Sequence, residues 1–319
     1  MIHFLFLFLI LINAVCGTTV ATANLTTLLP IPPRYMWGWG GPSNGFCGEC
    51  SFQSAALYYG SYVSQELIRE AATTPKGELL IGVNDVQAAD KLKLTHAEWD
   101  FKHQPMPQNH DFLLWTRDYV QQGVPVVAGW YATFGTDPDY DHIMPIIGVQ
   151  TDSSTNAVNA LLYNDLYLNY TVTDDKRLDR SRVECEGTYS RFKVPGKFCI
   201  PHEVDYAIAI LGNVDVKNET VRMSLSVSRW DEPDWSKEDG KYEPAVVLEA
   251  NVTFPSTLTV GKRYSILRFD SPKDVPSEAF LQGPWTWSFN FTASAAHMTV
   301  PVDGFLSNGS FFFRTVLSP

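Results

Sequence analysis

The hydrophobic pattern of this 319-residue chain changes its period at Gly123, and this change constrains the fold more than any other feature of the sequence. Before Gly123, apolar residues recur at helical spacing in four segments, 51–60, 63–73, 82–94 and 110–123. After it, short apolar or alternating runs bounded by Gly, Asp and Asn are typical of strands. Helices followed by strands predict an α+β domain, over residues 42–213, in which a helical half packs on a sheet.

Residues at the segment ends support four separate helices. Gly60 is the expected C-cap of the first, because glycine readily adopts the left-handed conformation that ends many helices. Ser64 is the expected N-cap of the second, and the third begins at Asn84 or Asp85. Gly123 ends the fourth. The strands that follow are predicted at 124–130, 142–150, 159–167 and 205–213.

The last third of the chain has a different hydrophobic pattern, which predicts no helix. Residues 221–230 alternate strictly, and further strand segments follow at 245–254, 262–270, 284–293 and 310–317. Short strands separated by turn residues predict an all-β sandwich over residues 214–319. Before the first helix, residues 24–41 are predicted to be a lead-in segment, irregular from 30 to 41 where proline, glycine and aromatic residues concentrate.

The N-terminus has the features of a secretory signal peptide over residues 1–23. An apolar run at 4–12 is too short to span a bilayer, and small residues suit cleavage after Ala23, with Gly17 as the alternative. No second stretch approaches transmembrane length, so the sequence predicts a secreted chain with no membrane partner in its mature form. Six sequons predict glycosylated loops, at Asn24, Asn169, Asn218, Asn251, Asn290 and Asn308.

Composition narrows the class of partner. The content of 45% hydrophobic and 18% charged residues is that of a globular protein. The formal net charge of -11 and the isoelectric point near 5.1 disfavour nucleic acid and anionic membranes. Most histidines are scattered without ligand spacing, so no metal site is expected. The oligomeric state is left open.

Four cysteines remain after removal of the predicted signal, and they fall into two pairs. Cys185 and Cys199 flank a basic, glycine-containing loop, which a secreted protein would readily close with a disulfide. Cys47 and Cys50 lie three positions apart at the start of the first helix. Three roles stay open for them: a catalytic nucleophile, a redox pair or a second structural disulfide.

The surroundings of the first pair favour a nucleophile. A helix N-terminus favours a thiolate, because the helix dipole and unsatisfied backbone N–H groups stabilise negative charge there. Catalysis also needs a base and a group that orients the base. His142 opens one predicted strand, and Asp165 follows the next. If these strands are antiparallel neighbours, the two side chains can hydrogen-bond, which predicts a triad of Cys47, His142 and Asp165.

The order of a helix-borne cysteine, a strand-opening histidine and an Asp or Asn after the next strand resembles that of papain-like cysteine enzymes. The details are similar to the bacteriocin-processing (double-glycine leader) peptidase family. The Tyr-Tyr-Gly at 58–60 follows Cys47 at the family's spacing, and Gly148 lies six residues after His142. The Asn-Asp pair at 164–165 matches the pair that often follows the next strand in that family.

This resemblance covers about residues 42–212 and implies a papain-like fold with Cys47 as the nucleophile. The general papain pattern instead places the nucleophile on the second cysteine of Cys-Gly-X-Cys, which makes Cys50 the alternative. Either way, the resemblance implies hydrolysis of an amide or related bond in a peptide or other acyl substrate, without a cofactor. Some relatives of this fold transfer the acyl group instead.

Two positions depart from the family pattern. Members carry a glutamine about six residues before the nucleophile as an oxyanion donor, and this chain has Gly41 or Asn44 there. Asn44 or Ser43 is the substitute donor that the sequence offers. The residue after Cys-Gly is often proline in the family and is Glu49 here. A catalytically inactive papain-like binding protein and a thiol-disulfide oxidoreductase using the Cys-X-X-Cys pair are therefore alternative functions.

Overall fold

The computed structural model of the protein describes residues 24–34, 36, 45–72, 77–132, 139–164, 178–181, 198–200, 204–227, 246–255, 258–307 and 310–319. These residues form a mixed α+β structure with antiparallel sheets. The α-helices of this part are α1 (Cys47–Tyr58), α2 (Gln65–Ala72), α3 (Asp85–Lys91) and α4 (Asn109–Gln121). None of the described helices is long and apolar enough to cross a membrane.

The largest sheet comes from the N-terminal two thirds of the chain. Its strands are β1 (Asn24–Leu28), β3 (Leu94–Glu98), β4 (Val126–Ala132), β5 (Asp139–Asp152), β6 (Val158–Asn164), β7 (Leu178–Ser181), β8 (Phe198–Cys199) and β9 (Ala207–Asn213). Their order is β3-β9-β4-β5-β6-β7, with β1 also paired to β5 and β8 to β4. Within the described residues β6 pairs with β5 from Ile146 onward, and the Ile143 carbonyl of β5 accepts a hydrogen bond from Ser51 of α1.

Helix α1 is the centre of the N-terminal core. Its residues from Gly48 to Tyr58 are all buried, between β5 on one side and α2 on the other. Gly60 follows the helix with a φ of 80°, as its predicted capping role requires. The hydroxyl of Ser64 accepts the N–H of Leu67, which confirms Ser64 as the N-cap of α2.

Two further sheets share a second hydrophobic core. One contains β2 (Ser61–Val63), β10 (Thr220–Val221), β13 (Arg263–Phe269), β14 (Trp287–Thr292) and β16 (Ser310–Leu317). The other contains β11 (Ser224–Val227), β12 (Val246–Thr253) and β15 (Thr299–Ser307). The short strand β2 follows α1 directly and pairs with β16, so the two parts of the chain share one sheet. The rings of Tyr62 and Phe311 stack across this pairing, 5.3 Å apart.

The structure corrects the expectation that helices come first and strands afterwards. Strands β1, β2 and β3 precede or interrupt the helices, and β15 is a further strand that the pattern does not predict. The third helix is also shorter than predicted, because Lys93 has a φ of 59° and turns the chain out of the helix. Leu94 then begins β3 opposite Asn213 of β9.

Candidate active site

Cys47, a partly exposed residue, begins α1, and its thiol lies where backbone N–H groups converge. Those of Cys47 and Gly48 come from the first turn of the helix, whereas that of Ile143 comes from β5. Each contact acts to lower the pKa of the thiol, since a donated hydrogen bond stabilises the thiolate. The Ile143 N–H belongs to the peptide group that joins His142 to Ile143. Helix α1 thus brings Cys47 to the backbone at His142.

Close packing of the first turn of α1 fixes the position of Cys47. A Cβ atom at Gly48 would lie 2.7 Å from the Leu79 carbonyl oxygen and 3.2 Å from Cδ1 of Ile143. No side chain fits there without a shift, which gives a physical reason for the Cys-Gly pair. The Ser51 hydroxyl lies 2.7 Å from the Cys47 carbonyl oxygen and 3.3 Å from that of Ile143, and it joins α1 to the edge of β5.

His142 is fully buried in β5, directly opposite Trp130 of β4. Residues opposite each other share a face of the sheet, and the Trp130 ring centre lies 4.9 Å from that of Tyr163 on β6. His142 therefore stands beside aromatic side chains. Burial holds its pKa well below 6.5, because surroundings of low polarity disfavour the imidazolium. The ring is neutral at physiological pH and retains the lone pair that a base needs.

The Cys47 thiol is also neutral. Burial raises its pKa to about 12, and the negative charge of Glu49 acts in the same direction. Among the described residues, no hydrogen bond joins the thiol to the His142 ring. Moving the thiol proton to the imidazole is unfavourable in the resting site, because burial raises the pKa of the thiol and lowers that of the imidazole. The resting pair is a thiol and an imidazole, not a thiolate and an imidazolium.

Glu49 makes a buried ion pair on the same turn of α1. Its carboxylate accepts a 2.8 Å hydrogen bond from Nε of Arg69 and a 3.1 Å bond from the Leu79 N–H. Nη2 of Arg69 donates to the Gly45 carbonyl at 2.9 Å, and the guanidinium carbon lies 3.4 Å from the centre of the Phe46 ring. Helix α2 thereby holds the segment that leads into α1. Burial raises the pKa of Glu49, and the charge of Arg69 opposes that shift.

Cys50 lies one turn further along α1 and is completely buried. Cys47 and Cys50 do not form a disulfide in this structure. The alternative of a structural disulfide between them is therefore not what the structure shows. A fully buried sulfur is also out of reach of a substrate, so Cys47 is the better placed of the two as a nucleophile.

The remaining predicted site residues fall outside the described part of the chain. Asp165 comes directly after β6, and Asn44 directly before Gly45, but neither is described. Cys185 also lies outside, so the predicted disulfide to Cys199 is not observed here. The backbone of Cys199 is in β8, opposite Tyr131 of β4.

Four of the six predicted glycosylation sites lie in the described residues. Asn24, Asn218 and Asn290 are exposed, as carrying a glycan requires, and Asn251 is half-buried. Only Asn218 of these four is in a loop; the others lie in β1, β12 and β14, which differs from the expected loop positions. Asn169 and Asn308 lie outside the described residues.

Asn164, the other polar residue at the end of β6, does not take the place of Asp165 in the described geometry. It is buried, and its side-chain nitrogen has no hydrogen-bond partner among the described residues. Successive residues of a strand point to opposite faces. Because Tyr163 shares the face of Trp130 and His142, Asn164 belongs to the other face.

Sequence reasoning missed the residues that build the first turn of α1. Glu49 was visible as a departure from the family pattern, but its partner Arg69 lies twenty residues away, and no local pattern joins the two. Ser51 carries no signal at all, because its acceptor, the Ile143 carbonyl, is 92 residues further along the chain. Only the Cys-Gly pair offered a clue to the tight packing at Gly48.

No protein-family model and no curated protein sequence matches this chain. Within the described residues, no group of three or more His, Cys, Asp and Glu side chains comes together as metal ligands. The geometry around Cys47 is therefore the main indication of what this protein does.

Proposed function

We propose that this protein is a papain-like cysteine hydrolase in which Cys47 is the nucleophile and His142 is the base. The observation that carries the proposal is the Cys47 thiol on the first residue of α1, in contact with the N–H that follows His142. Acyl-transfer chemistry needs a base within reach of the nucleophile, and the position of Cys47 at a helix N-terminus beside the strand that carries His142 supports such an arrangement. The packing of a central helix against an antiparallel sheet supports the papain-like fold.

The reaction starts from two neutral groups. His142 takes the thiol proton while the Cys47 sulfur attacks the carbonyl carbon, so a C–S bond forms and the carbonyl electron pair moves to oxygen. The imidazolium then protonates the leaving amine or alcohol as the bond to carbon breaks, which leaves a thioester on Cys47. Water, deprotonated by His142, releases the acid and restores the thiol. Another acyl acceptor in place of water would make the protein an acyltransferase.

Two further roles complete the proposal. Asp165 would hold the imidazole in one orientation and stabilise the imidazolium, as the third group of such a triad does. Asn44 would donate to the developing oxyanion together with the Cys47 N–H, in place of the family's glutamine. The chain would act as a secreted glycoprotein on a peptide or another acyl substrate.

Labelling with iodoacetamide tests the proposal directly. The labelled residue is identified by peptide mass spectrometry in the wild type and in Cys47→Ala, Cys50→Ala and His142→Ala, over a range of pH. We expect labelling at Cys47 that persists in Cys50→Ala, because Cys50 is completely buried. In His142→Ala we expect the rate near neutral pH to fall, because the base is lost.

Labelling at Cys50, or a rate that does not depend on His142, would contradict the catalytic assignment. Cys50→Ala is the matched control, since it removes a sulfur from the same helix without touching the proposed nucleophile. Circular dichroism of each variant separates a loss of reactivity from a loss of fold.

A non-catalytic binding protein is the second candidate, and the Cys47 pKa of about 12 favours it. At that pKa the thiolate is about one part in ten thousand at pH 8. The same value weighs more heavily against a thiol-disulfide oxidoreductase, because the attacking cysteine of such an enzyme depends on a low pKa. Absence of labelling at Cys47 in folded wild-type protein would favour the binding role.

A further inference from the structure

A second candidate site lies at the opposite end of α1, where the N-terminal and C-terminal parts of the chain meet. A cavity of about 350 Å³ lies between β9, β16 and the segment 215–223. Two arginine side chains, Arg222 and Arg314, line it, although the protein as a whole has a net charge of -11. Among the described residues that line the cavity, Asp215 is the one acidic side chain.

Arg314 brings a buried positive charge to this cavity. Its Nη1 donates to the Ser61 hydroxyl at 3.1 Å and to the Phe313 carbonyl at 2.8 Å. Its Nε and Nη2 have no hydrogen-bond partner within the described residues. Burial lowers the Arg314 pKa to about 9, and the charge of Asp215 opposes this. A buried cation with unused donors is stabilised by an anion that accepts from them.

Arg222 lies on another wall of the cavity, and aromatic rings and a backbone carbonyl hold its guanidinium in place. Its guanidinium carbon is 4.6 Å from the ring centre of Tyr58 and 5.3 Å from that of Tyr59. Its Nη2 donates to the Gly123 carbonyl at 3.0 Å. Its Nε, like two donors of Arg314, has no partner in the described part of the chain. The donor is therefore positioned before any ligand binds.

The acidic residue of the cavity does not neutralise these charges directly. Asp215 accepts hydrogen bonds from the N–H groups of Glu219 (3.0 Å) and Thr220 (2.7 Å) and from the Thr220 hydroxyl (2.7 Å). These bonds lie within its own turn and lower its pKa against the opposing effect of burial. Asn213 adds an acceptor: its Nδ2 donates to the Tyr59 carbonyl, while Oδ1 has no partner among the described residues.

We propose that this cavity binds a small oxyanion, the phosphate or carboxylate group of a ligand, through Arg222 and Arg314. The planar guanidinium matches both groups with paired N–H donors. Oδ1 of Asn213 accepts from a hydroxyl of the ligand, such as the protonated oxygen of monohydrogen phosphate. The volume suits a small molecule. This site shares no residue with the proposed hydrolase site and does not depend on it.

Isothermal titration with inorganic phosphate and, separately, with acetate tests the proposal, in chloride buffers of equal ionic strength. The full chain is used after removal of N-glycans, because Asn218 at the rim begins a predicted sequon. We expect one anion per chain to bind with saturation. Arg222→Ala weakens this binding about tenfold or more, because a charge-assisted donor is lost. Arg263→Ala, at an exposed position of β13, leaves it unchanged.

The two anions distinguish the ligand chemistry. Saturation by phosphate alone assigns a phosphate-bearing ligand, and saturation by acetate alone assigns a carboxylate. Arg314→Lys is the second variant, because it keeps the charge while removing the planar donor pair, and circular dichroism verifies its fold. The proposal is overturned if neither anion saturates, or if binding is equally tight in Arg222→Ala and in folded Arg314→Lys.

Discussion

Replacing Glu49 by Gln tests whether a buried charge controls the reactivity of Cys47. Glutamine keeps the size of the side chain, and its carbonyl oxygen can still accept the Leu79 N–H, but it carries no charge. After burial, Glu49 is the main cause of the raised pKa of Cys47. The substitution should therefore lower that pKa and increase the thiolate fraction.

The magnitude follows from Coulomb's law at the effective dielectric constant of protein interiors. If the charges of Cys47 and Glu49, two residues apart on α1, are taken to be roughly 8 Å apart, they interact by about 2 kcal/mol at a dielectric constant of about 20. This energy is equivalent to about a thirtyfold larger thiolate fraction at a pH where Glu49 is ionised and the thiol is still mostly protonated. The charge of Arg69, which Glu49 offsets in the wild type, acts in the same direction. Because the pKa of Glu49 is itself raised, the effect grows as the pH rises and this carboxylate ionises.

The assay is the rate of iodoacetamide labelling at Cys47 as a function of pH, with Cys50→Ala as the common background. Glu70→Gln is the matched control, since it removes the same charge from an exposed position next to Arg69 on α2. We expect a rate about thirtyfold higher near pH 8 for Glu49→Gln, and an unchanged rate for Glu70→Gln. Identical rate–pH profiles for wild type and a folded Glu49→Gln would refute the reasoning.

Three further changes test the packing and the protonation of the site. Gly48→Ala brings a Cβ to 2.7 Å from the Leu79 carbonyl, so urea unfolding should show a loss of about 1–3 kcal/mol. Ser51→Ala removes the hydroxyl that bridges α1 to the Ile143 carbonyl, at a cost of about 1 kcal/mol in the same assay. The pKa of His142 is lower folded than unfolded, so the unfolded chain binds more protons below about pH 6.5 and stability falls there. His142→Gln removes this titrating group, so its unfolding free energy should decrease less than that of the wild type as the pH is lowered through this range.

The helices could be predicted because the residues that begin and end them act locally. Ser64 caps α2 through its own hydroxyl, and Gly60 and Gly123 follow their helices with positive φ. These residues act within one turn of the chain, so their effect is visible in the sequence. The strands β4, β5, β6 and β9 were visible for a similar reason, because each carries a run of apolar residues between turn residues.

Tertiary pairing decides the elements that could not be predicted. Strand β1 owes its conformation to β5, with Leu28 opposite Gly148, and a Cβ at Gly148 would lie 2.6 Å from the Thr27 carbonyl. Strand β2 has three residues and is a strand only because β16 pairs with it from the far end of the chain. The residues of the candidate site also differ in whether the sequence could predict them. Cys47 begins α1 as predicted, but His142 does not open its strand, because β5 already starts at Asp139. The Glu49–Arg69 pair depends on how α2 packs on α1.

Helix α1 physically connects the two proposed sites. Cys47 begins it, and Tyr58, under the guanidinium of Arg222, ends it. At 1.5 Å per residue, twelve residues separate the sites by about 17 Å. At that distance the charge of an anion at Arg222 changes the energy of the thiolate by about 1 kcal/mol at a dielectric constant of about 20, and a larger influence would require a movement of the helix as a body. The contacts of Gly48 and the bond from Ser51 to Ile143 hold the first turn against β5 and oppose such a movement. The structure therefore favours two sites that are at most weakly coupled, and a labelling rate at Cys47 that changed with phosphate by much more than about fivefold would require a second position of α1.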